Sequence, residues 1–179
     1  MNVRDAIQLI APVVNAGGRW ADLGAGTGTF TAALSRLLGP NGAVYAIERN
    51  VDAIAALELL ARQATRDADA PITVVRADFT RPLDVPALDG VLLANALHFV
   101  TDNEQARVLA RVANVVLQRG TVVVIEYDDR PPSRWVPFPV SMARLGDLAR
   151  GANLTAPEIS GRRRSDFGGT MYAAWMSRR

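Results

Sequence analysis

Three glycines at alternate positions, Gly24, Gly26 and Gly28, stand behind Asp22 in the segment ADLGAGTGTF. Glycine loses more conformational freedom on folding than any other residue, so this spacing is a cost that a bound ligand explains: without Cβ atoms the backbone can approach it closely. The single histidine, His98, lies in NALHFVTD. Its imidazole is the only side chain whose ordinary pKa falls near neutrality, which makes it the natural candidate for moving a proton. Missing residues are as informative. There is no cysteine, which removes disulfides, thiolate metal sites and cysteine nucleophiles together, and no metal ligands are assigned. All 20 basic residues are arginine, which excludes any lysine-based mechanism and the phosphate-binding P-loop, whose lysine is essential.

These groups must be held in place by regular elements. The 179 residues are enough for one core, which at this size removes roughly 70% of the unfolded surface from water. One domain spanning residues 1–179 is expected. With 49% hydrophobic and 21% charged residues the composition is that of an ordinary globular protein. No apolar run approaches the roughly 20 residues of a membrane helix, and the N-terminus lacks a signal-peptide layout, so no membrane association and a cytoplasmic location are expected. The net charge of +2 is too small to argue for nucleic acid; RRRS at 162–165 reads as a solvated strand face.

Short apolar runs alternate with longer periodic ones. A helix over VRDAIQLIAPVV precedes the strand RWADL, which runs into the glycine loop. The helix TFTAALSRLL follows, with Phe30, Ala33, Leu34, Leu37 and Leu38 on one face. Strand AVYAIE, helix VDAIAALELLARQAT, strand ITVVRAD and strand GVLLAN come next. Thr101 and Glu104 in TDNE have the spacing of a capping box, opening a helix that reaches about Gln118 and ends at Gly120. TVVVIEY, apolar nearly throughout, reads as a strand buried on both faces. Beyond the proline-rich DRPPSRWVPFP comes a short helix, VSMARLGDLARG, and then EISGRRRS and TMYAAWMS around DFGG, a hairpin pattern. Strands alternating with helices predict an α/β fold: a doubly wound, mostly parallel seven-stranded sheet with helices on both faces and a C-terminal antiparallel hairpin.

In such sheets ligands bind beyond the carboxyl ends of the strands, and the loop after the first strand sits there, with a helix N-terminus directing unpaired N–H groups at it. A dinucleotide-binding loop reads G-x-G-x-x-G; the spacing here is G-x-G-x-G. DLGAGTGTF resembles the first motif of class I S-adenosylmethionine-dependent methyltransferases, and the likeness extends over most of the chain. Glu48 closes the second strand, about 20 residues past Gly28, a separation that places an acid beside a ribose. The resemblance implies that Glu48 holds both ribose hydroxyls and that Arg49 and Asn50 border the adenine. It also implies that Asp78 accepts from the exocyclic amine, that Phe79 covers a ring face, and that Asn95 meets the methionine end. With Asp22, Gly24, Gly26 and Gly28 these make up the expected cofactor site, and S-adenosylmethionine the expected cofactor.

The resemblance also frames the acceptor. Methyl transfer from a sulfonium needs alignment and exclusion of water, and a base only where the acceptor must lose a proton. The N-P-P-Y type signature of base-amino methyltransferases is missing, and the cysteine and lysine used by other branches do not occur. A small-molecule acceptor, methylated at O, N or C, is therefore expected, with His98 either the catalytic base or a pocket wall. Glu126, Tyr127 and Asp128 follow the fifth strand on the same side, and Trp135 and Phe138 lie on a stiff segment suited to a wall or lid. Two other readings stand beside this one: a nicotinamide-dependent oxidoreductase, and a non-catalytic methyltransferase-like domain that binds a partner protein.

Overall fold

The computed structural model describes residues 1–165 and 168–179. Seven strands form one sheet: β1 (Gly18–Leu23), β2 (Gly42–Glu48), β3 (Ile72–Arg76), β4 (Leu88–Ala94), β5 (Val116–Tyr127), β6 (Glu158–Arg164) and β7 (Thr170–Ser177). Their order is β3-β2-β1-β4-β5-β7-β6. The first five pair in parallel, while β7 runs antiparallel to both β5 and β6. The winding direction reverses between β1 and β4, so a crevice opens beyond their carboxyl ends.

Each face of the sheet is covered. α1 (Val3–Ile10), α2 (Thr29–Leu38) and α3 (Val51–Arg66) lie on one side, α4 (Asp102–Val115) and α5 (Met142–Gly151) on the other. β5 shows why: Val122 and Val124 join the core under α4 and α5, and Val123 and Ile125 the core under α1 and α2, all four fully buried. A strand with two buried faces has no use for polar alternation, and the run TVVVI reads accordingly. None of the helices among the described residues is long and apolar enough to cross a membrane.

Several boundaries depart from the expected ones. α1 stops at Ile10, since Pro12 cannot continue it. Thr101 does cap α4, but its hydroxyl donates to the Glu104 carboxylate at 2.9 Å rather than serving a backbone N–H, so the capping-box sequence is present without its reciprocal backbone bonds. α4 ends at Val115 and the chain passes directly into β5, whose first residue pairs with Leu88. Gly120 is therefore inside a strand, not a helix terminator. A Cβ there would come within 2.8 Å of the Asp89 carbonyl oxygen, at the irregular step where the β4 register shifts between Leu88 and Gly90. The expected hairpin forms from β6 and β7; Asp166 and Phe167 of its DFGG centre lie outside the described residues.

Candidate active site

The glycine loop leaves β1 and is drawn over the end of β2. Gly24 and Ala25 donate backbone N–H bonds to the Ile47 carbonyl, and Gly26 donates to Oε2 of Glu48 at 2.8 Å. All three glycines have positive φ, 76°, 52° and 91° for Gly24, Gly26 and Gly28, a region that residues with a Cβ seldom adopt. Their surroundings differ. A Cβ on Gly26 would enter open space, one on Gly24 would touch Ala96 at 3.0 Å, and one on Gly28 would strike Leu57 and Leu60 of α3 at 2.9 and 2.7 Å.

A cavity of about 460 Å³ opens beside this loop. It is bordered by eight of the ten residues expected at a cofactor: Gly24, Gly26, Glu48, Arg49, Asn50, Asp78, Phe79 and Asn95. Asp22 and Gly28 do not line it. Asp22 is buried beneath the loop and accepts from the Thr31 hydroxyl at 2.7 Å, which ties β1 to the first turn of α2. Burial pushes its carboxyl up to about 6, with the Glu48 charge adding to the rise and the Thr31 bond opposing it. Gly28 forms the N-cap of α2 and lets α3 pack against it.

Glu48 is the anchor of the loop. Oε1 accepts from the backbone N–H groups of Arg49 and Asn50, at 2.8 and 2.7 Å, while Oε2 holds Gly26. Asp78 accepts from the Thr80 N–H and hydroxyl through Oδ1, and its Oδ2 lies 3.6 Å from the Arg49 guanidinium. Partial burial would raise its carboxyl, but the Thr80 bonds and the arginine charge outweigh it and hold it below the ordinary value. Asn95 adopts a left-handed backbone, φ 52°, and its Oδ1 is buried without a hydrogen-bond partner. An unpaired buried acceptor is costly, so its place on a cavity wall marks where a donor belongs.

Asn95 also borders a second cavity, of about 480 Å³, beyond β4 and β5. Here the structure assembles a pair that the sequence separates by 28 residues. His98 Nδ1 lies 2.6 Å from Oε2 of Glu126, and the His98 backbone N–H donates to Oε1 of the same carboxylate at 3.1 Å. Both side chains are buried. A carboxylate can only accept, so Nδ1 carries a proton; in the neutral imidazole Nε2 then presents its lone pair, and it has no partner among the described residues. The imidazole lies against Phe99, ring centroids 4.4 Å apart, and near Tyr127 at 6.1 Å. Trp135 forms a wall, as expected. Phe138 does not: its N–H donates to the His98 carbonyl and its carbonyl accepts from Gln105, which fixes the His98 turn from behind. Asp128 is likewise turned to structure, accepting from the Met142 N–H and from Arg162.

Residues 21–120 match the family described as a methyltransferase domain, more than half of the chain. The chain belongs to this family. The match covers the glycine loop, Glu48, Asp78, Asn95 and His98. No curated protein matches the sequence. Among solved structures, the chain is similar to mitomycin 7-O-methyltransferase, with a TM-score of 0.74 and 21% identity over 99% of the chain and 54% of the neighbour. It therefore spans about half the length of that enzyme. It is also similar to an S-adenosylmethionine-dependent methyltransferase from Aquifex aeolicus (TM-score 0.75, 16% identity, 98% and 90% covered). A third is the 1,6-didemethyltoxoflavin-N1-methyltransferase of Burkholderia thailandensis, crystallised with its substrate and S-adenosylhomocysteine (TM-score 0.76, 20% identity, 98% and 77% covered). At these identities the likeness is one of fold.

The first cavity fits the cofactor expected from the chain's motifs. Gly26 leaves open the space a side chain would fill, Glu48 brings carboxylate oxygens to the rim, and Asn95 offers an acceptor with nothing to accept. Two features escaped the sequence reading. The His98–Glu126 pairing was invisible because it joins the turn after β4 to the penultimate residue of β5, 28 positions away. Arg130, on the wall of the second cavity, carried no motif.

Proposed function

We propose that the protein transfers a methyl group from S-adenosylmethionine to a small molecule whose reacting hydroxyl or amine gives up a proton to His98. The observation that carries this reading is the meeting of two cavities at Asn95, one bordered by the cofactor motifs and the other by a buried histidine with a free Nε2. The cofactor supplies an electrophilic methyl on a sulfonium, a good leaving group. The chain's own tasks are alignment, exclusion of water and removal of the acceptor proton. Glu48 and the glycine loop bind, Asn95 receives a donor at the reacting end, and His98 Nε2 takes the proton. Glu126 holds the ring in the required tautomer and balances the imidazolium as it forms. A domain that merely binds a partner has no need of a buried histidine–carboxylate pair facing an open cavity.

A thermal-shift panel of S-adenosylmethionine, S-adenosylhomocysteine, NAD and NADP tests the reading. Either of the first two, at 100 times its dissociation constant, is expected to stabilise the fold by about 2.7 kcal/mol. A response confined to the nicotinamide nucleotides would reverse the assignment to that of an oxidoreductase.

A further inference from the structure

The second cavity carries a cation that nothing on its walls neutralises. Arg130, half-buried three residues beyond β5, lays its guanidinium over the Tyr127 ring with Cζ 4.9 Å from the centroid. Stacking uses the face of a guanidinium and leaves its edge donors available. Among the described residues no carboxylate lies within ion-pair distance of it. Asp128 is occupied by Arg162 at 3.1 Å, and Glu126 is committed to His98. A second guanidinium, that of the exposed Arg134, stacks on the wall residue Trp135, its Cζ 5.5 Å from the ring centroid. Most of the rest of the wall is aromatic, with Asn95 and Val136 beside the rings, and two of the rings are left in water: Trp135 is 69% and Phe99 53% exposed. Large rings on a cavity rim beside an unanswered cation favour a flat, anionic occupant.

Resting on the methyltransferase reading above, we propose that the acceptor is an aromatic hydroxy acid, its ring against Phe99, Tyr127 and Trp135, its hydroxyl at His98 Nε2 and its carboxylate on Arg130. A volume of about 480 Å³ admits one or two fused rings. The phenol O–H breaks and its proton goes to Nε2; the oxygen forms the new O–CH3 bond as the S–CH3 bond breaks, and His98 returns its proton to solvent. The carboxylate is unchanged, serving as the handle that sets which hydroxyl reaches the histidine. Arg130 is thus a specificity residue, with a planar fork suited to bidentate recognition.

The test is calorimetric titration of the protein saturated with S-adenosylhomocysteine, using 4-hydroxybenzoate, 3-hydroxy-2-naphthoate and 6-hydroxy-2-naphthoate against the carboxamide of each. At least one acid is expected to bind tenfold or more tightly than its amide. Arg130→Gln should erase that preference while leaving affinity for the amide and for S-adenosylhomocysteine unchanged, and Arg130→Lys should restore part of it. His98→Gln should lower turnover of the preferred acid roughly 10²–10⁴-fold while the preference for acid over amide is kept. Equal binding of acid and amide, no binding by any member of the panel, or a preference that survives Arg130→Gln overturns the proposal. Failure of the native protein to bind S-adenosylhomocysteine at all would instead overturn the methyltransferase reading.

Discussion

The two cavities are built by opposite means. Around the first, much of the chemistry is backbone: glycines in left-handed conformations, N–H groups collected on Glu48, a helix N-cap without a side chain. Around the second it is side chains, a buried His98–Glu126 pair walled by Phe99, Tyr127, Arg130 and Trp135. A backbone site binds one shape and tolerates few changes. A side-chain site on loops after β4 and β5 can be altered residue by residue while the sheet beneath stays the same. Asn95, bordering both, is where the two designs must agree in register.

Substitutions can separate the halves. The largest expected effect is on the acceptor side: His98→Gln should lower turnover roughly 10²–10⁴-fold, the usual contribution of general acid–base catalysis. Affinity for S-adenosylhomocysteine should stay within about twofold. The loss should narrow as pH rises, because more acceptor is then already deprotonated. Parallel measurement of kcat and cofactor affinity decides it, and a joint collapse of both would mean that the cavities are one energetic unit.

On the cofactor side, Gly26→Val places a branched side chain in the space left open at φ 52°, where such residues are strained. Affinity for S-adenosylhomocysteine should drop by at least about 100-fold, while the ligand-free protein stays folded and loses only the roughly 1–3 kcal/mol of backbone strain, because nothing in the fold occupies that space. Binding close to native would move the ligand away from the loop.

Glu48→Gln is subtler, since it keeps the shape but replaces a carboxylate oxygen that now accepts from Gly26 or from Arg49 and Asn50. Cofactor affinity should fall by roughly 1.5–3 kcal/mol, the range for hydrogen bonds to charged groups. Should calorimetry find it unchanged with the fold intact, Glu48 would only be fastening the loop.

The smallest effect concerns Asp22, beneath the loop and outside both cavities. Its folded-state pKa of about 6 lies above the ordinary 3.8, so between those values the native state binds more protons than the unfolded chain. Stability therefore falls as pH rises from about 4 through 6, and the buried charge is a burden at neutral pH. Asp22→Asn, which keeps an acceptor for Thr31, should raise stability at pH 7.5 by about 1–2 kcal/mol and flatten that part of the profile. Denaturant unfolding across pH 4–8 checks it; a less stable variant would show that the ionised form is held by bonds stronger than its desolvation.

Much of this was written in the sequence by itself. The alternation of apolar runs with helical periods determined the parallel sheet and its reversed last strand, because burial on one or two faces leaves a periodicity that survives without coordinates. The glycine loop, Glu48, Asp78, Phe79 and Asn95 were singled out largely through resemblance to family motifs, and they border one cavity because each lies within a few residues of a strand end and a doubly wound sheet brings those ends to one side. Tertiary structure alone decided the rest. Gly28 and Asp22 share the motif but face α3 and the core, since a loop of alternating directions cannot present every residue to one ligand. Gly120 fell within β5 because its neighbours pair across the sheet with β4. Phe138 gave its backbone, not its ring, to the His98 turn. The His98–Glu126 pair and the unanswered charge of Arg130 depend on the turn after β4 meeting the end of β5 and the segment beyond it, and sequence separation carries no record of such a distance.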